Sequence, residues 1–188
     1  MTDNSTIHSL AGYCNENILW KLLVDLSSKK PDETSMGWKV LLPDLVIVDG
    51  EDFRIDEIES LNPDYAFYPP EGIGDYGESG FVWSLGALTC YASSGHYVFG
   101  GRGGVYQYNH PEVELPTLRK EHFALTPIVK RCLCYSPSQR ISINELHTIA
   151  IKGLESINQL SRVKRSIEPS ETENPPECSD DTWLEKMG

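Results

Sequence analysis

Apolar residues at Ile18, Leu19, Leu22, Leu23 and Leu26 recur at helical spacing and give one apolar face. They form the second of two short helical patterns within residues 5–28. SSKKPDETSMG (27–37) reads as a polar loop. VLLPDLVIVDGEDFRI (40–55) then alternates Val, Leu and Ile around a polar centre, a strand–turn–strand signal with Asp49-Gly50 at the turn. Residues 56–80 carry Pro63, Pro69 and Pro70 and read as loop. Residues 81–94 are apolar on nearly every side, the mark of a buried helix. GGRGG (100–104) and the stretch to Pro116 predict loop with one short helical turn. Residues 122–134 predict a helix. Ser142 and Glu145 form a capping-box pattern that opens another, running to about residue 160.

The expectation is a mainly α protein with a small β-hairpin, an α+β fold. One domain spans 1–160, and an acidic, Pro/Ser/Glu-rich segment at 161–188 reads as a disordered tail. A length of 188 residues with 39% hydrophobic content suits one domain with a real core. The net charge of −12 argues against nucleic acid or an anionic membrane as partner, because those surfaces are themselves negative. The basic run SRVKR (161–165) is short. The five cysteines are irregularly spaced, MTDNSTIHSLAG lacks the basic and apolar regions of a signal peptide, and no run approaches a membrane span. Reduced thiols follow, in an intracellular protein of cytoplasm or nucleus with no membrane insertion.

Three segments, in order, resemble the C-terminal lobe of eukaryotic-type protein kinases. YPPEG (68–72) is similar to the Ala-Pro-Glu element that closes an activation segment. FVWSLGALTCYASSGHYVFGG (81–101) resembles the central helix and the loop after it. PIVKRCLCYSPSQRISINELHTI (127–149) resembles the last two helices, with their Pro-x-x-Arg connection at Pro137–Arg140. The resemblance covers residues 8–155. It implies a helical, kinase C-lobe-like domain without the small nucleotide-binding lobe, since no Gly-rich loop followed by a strand lysine precedes it. GGRGG follows the central helix and lacks the strand–helix context of a phosphate loop.

Anchored on Pro43, the family's His-Arg-Asp-Leu-Lys-Pro-x-Asn pattern reads WKVLLPDL here. The catalytic aspartate becomes Val40, the lysine Leu42 and the metal-binding asparagine Leu45; Asp-Phe-Gly becomes Glu57-Ile58-Glu59. Phosphoryl transfer in the family needs a phosphate-binding lysine, Mg²⁺ held by oxygen ligands, and an aspartate to orient the acceptor. Valine and leucine supply none of these, so the resemblance implies a pseudokinase with no catalytic residue, no cofactor and no metal. Phe81 stands where the family places an aspartate that braces the catalytic loop. Its expected role is apolar packing against Trp38, worth about 1.5–3 kcal/mol. Glu71 and Arg140 stand where the family forms a buried ion pair.

The functional expectation is a non-catalytic scaffold or regulatory subunit that binds a protein partner, with regulation of an active kinase as one variant. VLLPDLVIV reads either as a catalytic cleft collapsed into core or as an apolar docking face; on the second reading Trp38, Leu41, Leu42 and Leu45 are partner-binding candidates. Trp183, Leu184 and Met187 form a second candidate, as anchors in a partner's groove. Two other readings stand beside this one. One is a residual nucleotide-binding enzyme using Glu57; the other is a fragment that needs another polypeptide to fold. Cys132 and Cys134 with His122 or His147 raise a metal site, against which buried helix thiols are the favoured reading.

Overall fold

A computed structural model of the chain describes residues 5–28, 40–56, 64–72 and 77–167, with side chains to 163. The candidates Trp38, Glu57, Trp183, Leu184 and Met187 lie outside these residues. The fold is mostly helical with one small antiparallel sheet, as the hydrophobic pattern predicts.

The sheet has the order β1-β2-β3, with β1 at Ser5–Thr6, β2 at Val46–Asp49 and β3 at Asp52–Ile55. Asp49 pairs with Asp52, which leaves Gly50 and Glu51 as a two-residue turn. Gly50 takes φ +63°, a left-handed conformation that this tight turn needs and a β-carbon resists. β1 was not expected; two polar residues give no strand signal, and pairing with β2 alone defines it.

α1 spans Glu16–Ser27, and the Asn15 side chain caps it by accepting the Ile18 N–H at 2.9 Å. Its apolar stripe, Leu19, Leu22, Leu23 and Leu26, is fully buried. Asp25 ties the helix to the hairpin, because its carboxylate accepts the Phe53 N–H at 2.9 Å. Lys21 joins it, reaching Asp25 at 2.7 Å and Asp52 at 2.5 Å. Burial resists the Lys21 charge, but these two carboxylates hold its pKa above the ordinary lysine value.

α2, Gly77–Ser94, runs through the centre, and every residue from Gly80 to Ser93 is buried. It starts four residues before the sequence predicts, because Gly77 and Gly80 do not stop a helix that core packing supports. Its buried hydroxyls stay satisfied locally: Thr89 donates to the Leu85 carbonyl at 2.8 Å. α3 covers Gly103–Asn109, α4 Thr126–Cys132 and α5 Ile143–Ile167. α2 and α4 touch at Gly86, where an added β-carbon would lie 2.7 Å from Cβ of Cys132. α1 and α5 meet the same way, since a β-carbon at Gly153 would fall 2.6 Å from the Trp20 ring.

Gly86→Ala therefore forces the α2–α4 contact apart and should lower stability by about 1–3 kcal/mol. Urea denaturation measures it; an unchanged midpoint with unchanged slope would contradict this packing.

Candidate functional site

The apolar residues of segment 40–45 are core. Val40, Leu41, Leu42 and Leu45 are 7%, 1%, 5% and 7% exposed, and they belong to the same apolar cluster as Ile7, Leu19 and Leu88. The docking-face reading of Leu41, Leu42 and Leu45 is corrected accordingly: these side chains already have their apolar partners and present nothing to a second protein. The polar member of the segment, Asp44, points to His8, with Oδ1 3.3 Å from Nε2.

Phe81 is buried at 4% exposure. One turn further along α2, Ser84 Oγ accepts the Leu41 N–H at 3.0 Å and donates to the Phe81 carbonyl at 2.8 Å. A polar brace from the central helix onto this loop therefore exists. It comes from a buried hydroxyl and not from the side chain at position 81, and nothing in the pattern of an apolar helix singles out Ser84.

Glu71 and Arg140 meet in a bidentate pair, Nη1 to Oε1 at 2.5 Å and Nη2 to Oε2 at 2.7 Å. The guanidinium also donates to the Cys134 carbonyl at 2.8 Å and to the Ser79 and Tyr135 carbonyls at 3.0 Å each. Five N–H groups thus have five acceptors, the full capacity of an arginine. Next to this knot, Glu78 accepts the Ile143 N–H at 2.7 Å at the start of α5. Ser142 Oγ accepts the Glu145 N–H at 3.3 Å, but the Glu145 carboxylate turns to Arg131 at 2.8 Å. Half of the expected capping box is formed, and Glu78 caps the helix from another element.

A second polar network crosses the other end of α2. His8 Nδ1 lies 2.8 Å from the Tyr91 hydroxyl, which links Asp44 through His8 to Tyr91. The Tyr91 ring stacks on Tyr97 with centroids 5.0 Å apart and meets Phe67 edge-on at 5.9 Å. Burial raises the Tyr91 pKa, and Tyr97, Asp44 and Asp64 raise it further. A phenol held neutral in this way is a poor base or nucleophile. The arrangement positions rings; it does not activate them. Phe99 is the one described non-glycine residue at positive φ (50°), its ring 5.9 Å from Tyr106. Arg102 lies over the Tyr106 ring at 3.8 Å.

Among the described residues the thiols and imidazoles share no common site. Burial pushes the Cys14 thiol up to about 11, Cys90 to about 12 and Cys132 further, so all three stay protonated and unreactive at neutral pH. His122 Nδ1 pairs with Ser93 Oγ at 2.7 Å and His147 Nδ1 with Ser27 Oγ at 2.9 Å, on separate elements. Among the described residues no group of three His, Cys, Asp or Glu side chains is placed to hold a metal ion. Among them, too, no helix is long and apolar enough to cross a membrane.

Two predictions test this geometry. Arg140→Met orphans the Glu71 carboxylate and three carbonyls, and should cost about 3–5 kcal/mol. Glu71→Gln should cost less, because the three carbonyls still hold the guanidinium and Glu71 is partly open to water. Equal losses in urea denaturation would contradict the hub. The second prediction concerns His122. Burial first, then the nearby Arg119 charge, lowers its pKa below the ordinary 6.5. The unfolded chain therefore takes the proton first as pH falls. The His122 contribution to stability is whole above about pH 6.5 and drains below it. Melting temperature should drop on acidification from about pH 7 to about pH 5, and His122→Gln should flatten that slope.

Compared with protein-family models and with curated proteins, the chain has no match in either.

Proposed function

We propose that the chain is a non-catalytic, kinase C-lobe-like scaffold or regulatory subunit that works by binding another protein. One observation carries this reading: Val40, Leu42 and Leu45, which the kinase resemblance sets at the positions of catalytic aspartate, lysine and metal-binding asparagine, are buried apolar side chains. Those side chains offer neither a proton acceptor nor an oxygen for Mg²⁺. Supporting it, the residues that fix mutual element positions are polar and complete, above all the Arg140 knot. A chain that keeps its internal braces while filling its would-be cleft with core serves as a platform. Its partner is a protein, in keeping with the strongly negative charge that repels nucleic acid and anionic lipid. Regulation of an active kinase is one form this role takes.

A thermal-shift titration with ATP and Mg²⁺ tests the reading. A ligand of the folded state raises the melting temperature by mass action, so a non-catalytic platform should show one cooperative transition with no shift. A saturable, Mg²⁺-dependent rise would overturn the proposal and direct attention to Glu57.

A further inference from the structure

Charge is distributed along this chain with opposite signs on opposite parts. Residues 40–118 contain thirteen acidic and two basic side chains, a net of −11. Residues 119–167 contain three acidic and nine basic, a net of +6. Each region carries an exposed apolar surface that no described element covers.

The acidic region presents an aromatic face. It is built by the 3-10 turns Tyr65–Phe67 and Val98–Gly101 together with α3, which pack on one another. The face is rigid for a reason legible in its glycines. A β-carbon at Gly104 would collide with the Pro69 and Pro70 backbone, so α3 seats directly against that segment. The Gly104 N–H donates to the Tyr68 carbonyl at 2.8 Å. Gln107 points inward, accepting from Trp83 Nε1 at 3.0 Å and donating to the Leu133 carbonyl at 2.7 Å. With 104 and 107 turned in, Val105 and Tyr108 face out, 50% and 61% exposed. Beside them Tyr65 is 50% exposed, and Tyr97, stacked from below by Tyr91, is 40% exposed. Residues 97–109 carry one charged side chain, Arg102, in a chain that is 23% charged. Tyrosine enrichment with charge depletion is the composition of an interface centre. Asp44 and Asp64 act on Tyr91 beneath the Tyr97 ring, and Glu112 and Glu114 follow α3 in the chain.

The basic region presents the distal half of α5. Leu146 and Ala150 are buried against the body and Leu154 and Ile157 partly so, but Leu160 and Val163 continue the same stripe at 63% and 55% exposure. Lys152 lies exposed on the same half, and Arg162, Lys164 and Arg165 follow in sequence. An apolar helical stripe in a net-basic segment suits an aromatic face with carboxylates beside it, and arginine and lysine pack well on tyrosine rings.

We propose that the chain self-associates head to tail, the aromatic acidic face of one molecule (Tyr65, Tyr97, Val105, Tyr108) receiving the basic, apolar distal half of α5 (Lys152, Leu160, Val163) of a second copy. The contact is heterologous: a pair still has one unused face, on one molecule, and one unused helix end, on the other, so assembly continues beyond two. The inference goes beyond the scaffold reading and does not need it, since it uses surfaces and charge and no kinase likeness.

Sedimentation of the full chain over about 1 μM to about 1 mM, the range of modest-area contacts, tests it with two variants whose substitutions lie on exposed positions. Tyr108→Lys disables the face, and Leu160→Asp with Val163→Glu disables the helix end. The expected result has three parts. The wild-type mass rises with concentration and falls again when salt is raised, as screening predicts. Each variant alone weakens association at least about tenfold. An equimolar mixture of the two forms 1:1 pairs and stops there, because one intact face meets one intact end. Unchanged melting temperatures exclude unfolding as the cause. A wild-type chain that stays monomeric overturns the proposal, as does a mixture that stays monomeric while the wild type associates. Association that requires removal of residues 168–188 also overturns it, since that acidic segment would then be the occupant of the helix end. None of these outcomes touches the nucleotide titration, so the two readings fail separately.

Discussion

The five N–H groups of the Arg140 guanidinium reach acceptors on three other segments: the Glu71 carboxylate after the double proline, the Ser79 carbonyl at the start of α2, and the Cys134 and Tyr135 carbonyls after α4. This one side chain ties those segments together, beside the Gly86 contact of α2 with α4 and the Glu78 cap on α5. A guanidinium suits the task because its fork is planar and its donors point in set directions; lysine would satisfy at most three of the five acceptors. The desolvation of a charge buried to this degree is large, and the gain is geometric definition more than net stability.

Glycine does the corresponding work for the backbone. Gly86 lets α4 reach α2, Gly153 lets α1 reach α5, and Gly104 seats α3 on Pro69–Pro70. Where helices touch through glycine the side chains around the contact have little room to adjust, which is why the core reads as a single cluster from Ile7 to Ala150. The aromatic face is an outgrowth of the same packing. Tyr97 rests on Tyr91 and Phe67, both anchored in or against α2, so its exposed ring is held and loses little freedom on contact.

Much of this was legible in the sequence wherever periodicity and local chemistry agreed. α1, the hairpin and the start of α5 follow from helical spacing, an Asp-Gly turn and a Ser-x-x-Glu pattern. Glycine misled at Gly77 and Gly80, inside α2, and in GGRGG, where the expected loop with one short turn holds α3: Gly103 and Gly104 are there for close approach and not for flexibility. VLLPDLVIV stayed ambiguous because a short apolar run looks alike in a core and on a docking surface; the burial of Leu41, Leu42 and Leu45 depends on partners distant in sequence. The aromatic face left a trace in the scarcity of charge between Tyr97 and Asn109, where Arg102 stands alone. That trace gains meaning once the fold shows which of those residues point outward.

The contrast between Phe81 and Ser84 shows how such a loop keeps its place without a carboxylate. A buried ionised aspartate at position 81 would need several donors or a partner charge to offset its desolvation. A buried serine hydroxyl needs one donor and one acceptor, and Ser84 finds both in the Leu41 N–H and the Phe81 carbonyl. Each such neutral bond contributes about 1 kcal/mol. The Phe81 side chain adds buried apolar surface on the same turn. Val40, Leu42 and Leu45 belong to the same buried cluster as Phe81, so the loop is held by the Ser84 hydroxyl and by its own hydrophobic side chains.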